Sequence, residues 1–403
     1  MYEFFTHQFG FSILLMAVLL GIIMTAVAYC ILLERKVAAW VQDRIGPNRA
    51  GPFGLLQPLA DGVKFLLKED IISRNVDKPL FVLAPAIAFT VALIGFAVIP
   101  WAGQVRLGGN LLEVQVASID VGLLYLLAVG SLAVYGVVLG GWASNNKYSF
   151  YGAMRATAQM LSYEIPLGLA ILVVVLTTGQ LRLENIVAWQ IDPAAGGVWN
   201  LLLHPLAFVL MLITVFAEAN RLPFDLAEAE QELIGGYQTE YSAMKMGLFY
   251  LGEYAHMITS SAFIAVLFLG GWELFPGSGR LGWGWIDWLN TSPSIAAMLL
   301  RFAIMAGKIF FFIFFFMWVR WTIPRFRFDQ LMRLAWRGMV PMGLGLVALT
   351  GLLVYRGQPA TFWAPVGNLI IVAVIMLWQV VRKPTVTGRQ THLPPVTGFA
   401  GTR

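Results

Sequence analysis

The chain has 403 residues, of which 59% are hydrophobic and 12% charged, with a mean hydropathy of +0.74 and a formal charge of +5. Such a composition excludes a soluble globular domain and points to one polytopic membrane domain. The basic balance needs no nucleic-acid partner, because basic residues in membrane chains are ordinarily orientation signals.

Apolar runs predict nine membrane spans, at about 11–33, 80–100, 119–141, 158–178, 203–219, 247–273, 298–318, 339–355 and 363–381. The fold class expected is therefore an all-α polytopic membrane protein of about nine transmembrane helices. Residues 1–381 form a single transmembrane domain, with structured cytoplasmic loops at 34–79 and 218–246, and 382–403 form a flexible Pro/Thr/Gly tail. The first run, Phe11 to Leu33, lacks a basic leader and a small-residue cleavage site, so it reads as a retained helix. It holds the one cysteine, Cys30, which rules out an internal disulfide and thiolate ligation of a cluster.

With the N-terminus outside, the loops 34–79, 142–157, 220–246, 319–338 and the tail carry 21 Lys and Arg, against 4 on the opposite side. The positive-inside rule then places the N-terminus outside and the C-terminus in the cytoplasm. The outer loops 179–202 and 274–297 are rich in Trp, Gly and Pro, the composition of an interfacial belt. No repeat at a fixed period is visible.

The first cytoplasmic loop, ERKVAAWVQDRIGPNRAGPFGLLQPLADGVKFLLKED, alternates charge with two Gly-Pro turns and then resumes helical spacing at Leu55, Leu56, Leu59 and Val63. At about 45 residues it is more than a connector. Lys36, Lys68 and Arg74 read as snorkelling bases. Arg35 beside Glu34, and the pair Asp61 and Lys64 at helical spacing, read as functional.

The stretch AEANRLPFDLAEAEQELIGGYQTEYSAMKMGLFYLGEY, starting at Ala217, holds Glu218, Asp225, Glu228, Glu230, Glu232, Glu240 and Glu253, seven of only 22 acids. Asp225, Glu228 and Glu232 follow i, i+3 and i+7, so a helix would place them on one face, with Glu230 elsewhere. Clustered carboxylates in a low dielectric cannot all ionise, so some are expected to titrate near neutrality and exchange protons. The competing reading is a solvated acidic helix, disfavoured by the flanking spans and by the scarcity of opposing bases (Arg221, Lys245).

Within the spans, Glu164 lies fourteen residues, or roughly 21 Å, from the outer end of its run, and Glu253 about twenty. Both are expected in the cytoplasmic half of the bilayer, where acids are functional by default. Lys308 is a base deep in a span and a candidate partner or proton carrier. Glu253-x-x-His256 has the spacing of half a di-iron site, but the other histidines supply no second half, so no metal site is expected. Arg320 and Arg325 flank Pro324 at a helix end and could pair with the acids of the central loop. No phosphate loop, nucleophile elbow or Cys/His signature appears, so no residue is assigned a bond-making role.

Together the strings ERKVAAWVQDRIGPNRAGPFGLLQPLADGVKFLLKED, AEANRLPFDLAEAEQELIGGYQTEYSAMKMGLFYLGEY and PRFRFDQLM resemble the quinone-channel membrane subunit of proton-pumping NADH:quinone oxidoreductase, respiratory complex I. The resemblance covers most of residues 20 to 345. It implies a quinone cavity lined or shaped by Arg35, Asp61, Lys64, Phe224 and Asp225. It implies a proton or charge relay through Glu164, Glu218, Glu228, Glu230, Glu232, Glu240 and Glu253, with Lys308 added from its position in the span. Arg320 and Arg325 match the family's basic pair beside those acids, and spans two to six are similar to half of an antiporter-like channel.

The implied substrate is a quinone, ubiquinone or menaquinone, with no metal, haem, flavin or iron–sulfur cluster on this chain. Implied partners are the hydrophilic quinone-reducing and iron–sulfur subunits of the peripheral arm, together with the small and antiporter-like subunits of the membrane arm. The implied location is the bacterial inner membrane. The ninth span and the tail depart from the eight-span pattern of many relatives. Two other readings remain at this point: a related component of a membrane-bound hydrogenase complex, and a stand-alone ion-coupled transporter using Glu164, Glu253 and Lys308.

Overall fold

A computed structural model describes residues 7–194, 197–225, 235–277, 283–357 and 363–381. The described chain is helical except for one small hairpin. Seven helices are long and apolar enough to cross ~30 Å of hydrocarbon. They are α1 (Gln8–Val41), α3 (Lys78–Ile94, with a tight last turn to Val98), α4 (Gly122–Ala143), α5 (Lys147–Thr178), α9 (Ala243–Phe268), α11 (Ile295–Thr322) and the run Phe328–Tyr355. That last run joins α12 (Phe328–Arg333) to α13 (Val340–Tyr355) through a π-helical turn at Leu334–Met339. Pro341 lacks an N–H, so it cannot close the ordinary i→i−4 bond at that point, and the turn widens.

Of the other two predicted spans, one is interrupted and one has the predicted bounds. At 203–219 the chain forms α7 (Asn200–Leu203), breaks at His204, and restarts at Pro205 as the 14-residue α8 (Pro205–Glu218). The break follows from Pro205, which opens a helix well but cannot continue one. At 363–381 lies α14 (Trp363–Val381).

At several ends rich in Lys and Arg the helices run past the hydropathy boundaries. α5 begins at Lys147, where Asn146 caps the Tyr148 N–H (2.9 Å), and ends at Gly179 in the left-handed region (φ 67°). The predicted loop 142–157 is thus mostly helix. α1 runs on to Val41 and α11 to Thr322, so Arg35 and Arg320 sit on helices, not in loops. Charge ends a hydropathy run, whereas caps and prolines end a helix. Within the long first loop, α2 (Gln57–Leu67) is amphipathic, and Leu59, Leu66 and Leu67 are exposed. Between α5 and α7 lies the short α6 (Leu183–Ile191), and α10 (Gly284–Thr291) precedes α11.

The all-α expectation misses one element. β1 (Gln104–Leu107) pairs antiparallel with β2 (Asn110–Glu113) across Gly108 and Gly109, both at positive φ (58° and 90°). A two-residue turn with both φ positive matches the strand twist and favours Gly-Gly.

α9 is the centre of the bundle: 83% of its most apolar window is buried, and it packs against α1, α3, α8 and α11. α4 packs between α3 and α5, and α5 packs in turn on α8 and α13. Close approach is made possible by small residues. A Cβ on Gly136 would lie 2.9 Å from the Ala88 Cβ, and one on Gly252 would lie 3.3 Å from the Ala88 carbonyl oxygen. Ala88 of α3 is therefore gripped between α4 and α9, the small-residue packing that membrane helices use to approach closely.

Candidate functional site

The interior holds a knot of charge where α1, α9, α11 and the turn after α8 meet. α8 ends at Glu218, and the chain reverses through Asn220 in the left-handed region (φ 49°). Arg221 is thereby turned inward and is 5% exposed. Its Nη1 lies 3.2 Å from Glu34 Oε2 and its Nε 3.0 Å from Glu253 Oε1, and its guanidinium covers the Tyr254 ring at 4.1 Å. Glu34 also accepts from the Tyr254 hydroxyl (2.6 Å) and from Arg320. Two carboxylates thus face two guanidiniums, which offsets the cost of burying each alone.

A second pair, Arg325 Nη2 to Asp225 Oδ2 (2.8 Å), fixes the far side of the same turn. Gln159, fully buried on α5, donates to the carbonyls of Ala217 (2.9 Å) and Phe224 (2.7 Å). Phe224 packs edge-on against Tyr163 (5.4 Å) and against Phe326 (5.8 Å), and the Phe326 N–H donates to the Pro223 carbonyl (3.2 Å). The segment from Ala219 to Asp225 is therefore held from three sides.

From this knot a row of polar groups runs into the bundle. A cavity of about 60 Å³ is bounded by Glu253, Glu218 and His256. A second, of about 40 Å³, shares Glu218 and His256 and adds Thr259 and Ser260. A third, of about 10 Å³, joins Glu218 to Glu164 and Ser131. Glu218 Oε1 lies 3.7 Å from His256 Nε2. The Ser131 hydroxyl reaches both the Leu127 carbonyl (3.0 Å) and the Glu164 carboxyl. Gly130 leaves space for the Glu218 carboxyl, since a Cβ there would sit 3.0 Å from its Oε1.

On the other side of α1, an apolar cavity of about 660 Å³ lies between α1, α2 and α9. At its polar end Asp61 accepts from Arg35 (2.8 Å) and from Gln57 (3.1 Å). A second apolar cavity, of about 760 Å³, lies between α1, α11 and the chain connecting α1 to α2. Glu34 and Arg35 are consecutive, so the helix turns them about 100° apart. Arg35 pairs with the Asp61 that lines this cavity, without lining it itself, and Glu34 serves the interior knot.

The structure gathers part of the expected site and scatters the rest. Arg35 and Asp61 meet, but Lys64 is exposed one turn on, over Phe65 (5.5 Å), and lines neither large cavity. Phe224 and Asp225 are 4% and 5% exposed and also line neither, belonging instead to the wall of the interior knot. Glu253, Glu218 and Glu164 fall in one series, with Arg320 at its head.

Glu240 stands apart from that series. It accepts from Ser73 (2.7 Å) and Asn146 (2.7 Å) and ties two loops together. Beside it Tyr241 stacks on Phe81 at 4.0 Å, and burial raises its phenol above the ordinary value, so it stays neutral. Lys308 is no partner of Glu164 or Glu253. Its ammonium donates to the carbonyls of Leu269, Gly271 (2.9 Å) and Glu273 (2.5 Å) and lies over Trp199 (4.5 Å), capping the far end of α9. Glu228, Glu230 and Glu232 lie outside the described residues.

Sequence reasoning passed over Glu34, Arg221, Tyr254, Gln159, His256 and Ser131 as site residues. For Glu34 and Arg221 the signal was there: each is a charge directly abutting an apolar run. His256 was weighed only as a metal ligand, although one helical turn from Glu253 it could equally pair with an acid.

The NADH dehydrogenase family model matches residues 14–351 of the chain. One H-type subunit of NADH-quinone oxidoreductase from Cytophaga hutchinsonii is 51% identical over 318 residues, covering 79% of this chain and 89% of its own length. The H-type subunit from Flavobacterium johnsoniae is 48% identical over 340 residues, covering 84% and 93%. One from Geobacter metallireducens is 46% identical over 335 residues, covering 83% and 94%. A family match across more than four-fifths of a helical membrane bundle, with about half the residues shared with each of these relatives, makes the chain a member of the NADH dehydrogenase family, in the branch of the H-type subunits of NADH-quinone oxidoreductase.

Proposed function

We propose that the chain is the membrane subunit through which an NADH-quinone oxidoreductase admits quinone and passes the consequence of its reduction into the membrane. Quinone enters the apolar cavity between α1, α2 and α9, and its headgroup is met at the Arg35–Asp61 end. Electrons come from NADH through hydrophilic partner subunits docked on the loops, and the quinone takes up two electrons and two protons to become quinol. This chain's own residues hold the headgroup and answer the change in local charge.

The observation that carries the reading is the split of two consecutive residues on α1. Arg35 is bound to Asp61 on the cavity side, and Glu34 is bound to Arg221 and Arg320 on the interior side. A change of charge at Asp61 is felt by Arg35 and, one residue away, by a knot in which Arg221 bridges Glu34 and Glu253. In a coupled set of acids one protonation resets the others. The series then continues through Glu218 with His256 to Glu164 with Ser131. The cavities along it are of a size for ordered water, which needs ~10–15 Å³ each, so protons can pass between side chains that do not touch. The distribution of Lys and Arg supports a periplasmic N-terminus and cytoplasmic loops facing the partners, in a bacterial inner membrane. Lys308, held at the other end of α9, leaves the stand-alone transporter without the base it required.

The test is Glu253→Gln in the assembled complex. It keeps the shape but removes the charge that Arg221 bridges. NADH-driven quinone reduction is expected to fall in this variant. Turnover at the wild-type rate would dismiss the role of this residue.

A further inference from the structure

The larger apolar cavity, of about 760 Å³ between α1 and α11, is not needed by the quinone reading and has a different mouth. The cavity beside α2 carries the acid Asp61 in its lining, itself paired with Arg35, whereas this one ends in Lys36 and Arg44 with no carboxylate in its lining. Neither base forms an ion pair among the described residues; Arg44 gives its Nε to the Gln42 side-chain oxygen (2.8 Å), which orients the rest of the fork. The lining otherwise is hydrocarbon and aromatic, from Leu19 up α1 to Trp40 and from Phe302 to Ile313 on α11. From Leu19 to Lys36 the helix rises about 26 Å, more than the ~15 Å half-thickness of a bilayer core.

We propose that this cavity is a site for one anionic phospholipid, with an acyl chain laid between α1 and α11 and the phosphate held by Lys36 and Arg44. An acyl chain matches the lining, and a net-negative headgroup matches two bases that meet no acid among the described residues. The guanidinium fork grips phosphate oxygens in pairs, and the lysine reaches the same group from its own stem. The connection from Arg44 to Leu55 folds over the mouth and makes the headgroup part of the wall between this cavity and the neighbouring one, which shares Tyr29, Leu32 and Leu55.

The measurement is native mass spectrometry of the intact, delipidated complex titrated with palmitoyl-oleoyl phosphatidylglycerol or, separately, phosphatidylcholine. Wild type should retain one phosphatidylglycerol more tightly than any phosphatidylcholine. In Lys36→Gln/Arg44→Gln that lipid should bind about 30-fold more weakly, the worth of two surface bases toward an anionic lipid. Ala306→Trp, which fills the cavity without altering charge, should also lose it. Equal retention of both lipids, or phosphatidylglycerol unaffected by either variant, overturns the proposal. So does one-for-one displacement of the lipid by a quinone analogue, which would give the cavity to the quinone tail. Crosslinking of position 306 to a partner protein in the native membrane would give the cavity to a protein helix and equally overturn it.

Discussion

Ser131 has one hydroxyl proton and two acceptors within reach, the Leu127 carbonyl and the Glu164 carboxyl. It can serve the carboxylate only by releasing the carbonyl. Once Glu164 is protonated, the acid becomes the donor and the hydroxyl turns back to Leu127. Ser131→Ala removes that donor and is therefore expected to shift the Glu164 carboxyl infrared band. Ser131→Thr, which keeps the hydroxyl, should restore the band. An unchanged spectrum in Ser131→Ala would separate Ser131 from the relay.

Asp225 offers a stability test at the same scale. Asp225→Ala leaves Arg325 without its carboxylate in a half-buried position, and breaking buried pairs costs on the order of 3 kcal/mol. Thermal denaturation of the purified complex should show a lowered midpoint; a wild-type midpoint would mean the pair contributes nothing. Single residues were legible where a charge interrupts hydrocarbon, as with Glu164, Glu253 and Arg320. Partners were not legible, because Glu34 and Arg221 stand 187 positions apart, and only the fold brings them to 3.2 Å.

Among the elements, α1 does the most positional work, holding Arg35 toward one cavity, Lys36 toward another and Glu34 inward, within three residues. Its division of labour follows from helical geometry alone, but the sequence could not say which neighbour each face would meet. α2 was readable from its spacing after the Gly-Pro turns. The break at His204 and the π-turn at Leu334–Met339 were not, since hydropathy averages across prolines that end or widen a helix. The hairpin at Gly108-Gly109 carried a turn signal that a search for spans overlooks. The grip on Ala88 yields a prediction: Gly252→Val adds bulk 3.3 Å from the Ala88 carbonyl, and overpacking of this kind costs roughly 1–3 kcal/mol. The complex should lose thermal stability while an exposed control such as Gly284→Ala does not; equal stability would show that the seam yields.

At the scale of the whole molecule, the fold places bulk apolar cavities on either side of α1 and a narrow polar row through the bundle behind it. Orientation can be read chemically. In a Cys30→Ser background, a membrane-impermeant maleimide should label Asp120→Cys from the periplasmic side, and Asn48→Cys only after the membrane is opened. The reverse pattern would invert the topology.

The membrane class and a helix at each of the nine predicted spans were legible in hydropathy, while the site was visible as an excess of acids in one stretch and as isolated charges such as Arg35, Glu164 and Arg320 elsewhere. Three of those acids, Glu228, Glu230 and Glu232, lie outside the described residues; among the described residues the connected series runs through Glu34, Glu253, Glu218 and Glu164. The central claim is that this series feels quinone reduction. Glu218→Gln, assayed in proteoliposomes for quinone reduction and proton translocation together, tests it most directly. Quinone reduction and proton translocation should fall in step. Wild-type quinone reduction with a full proton gradient would contradict it.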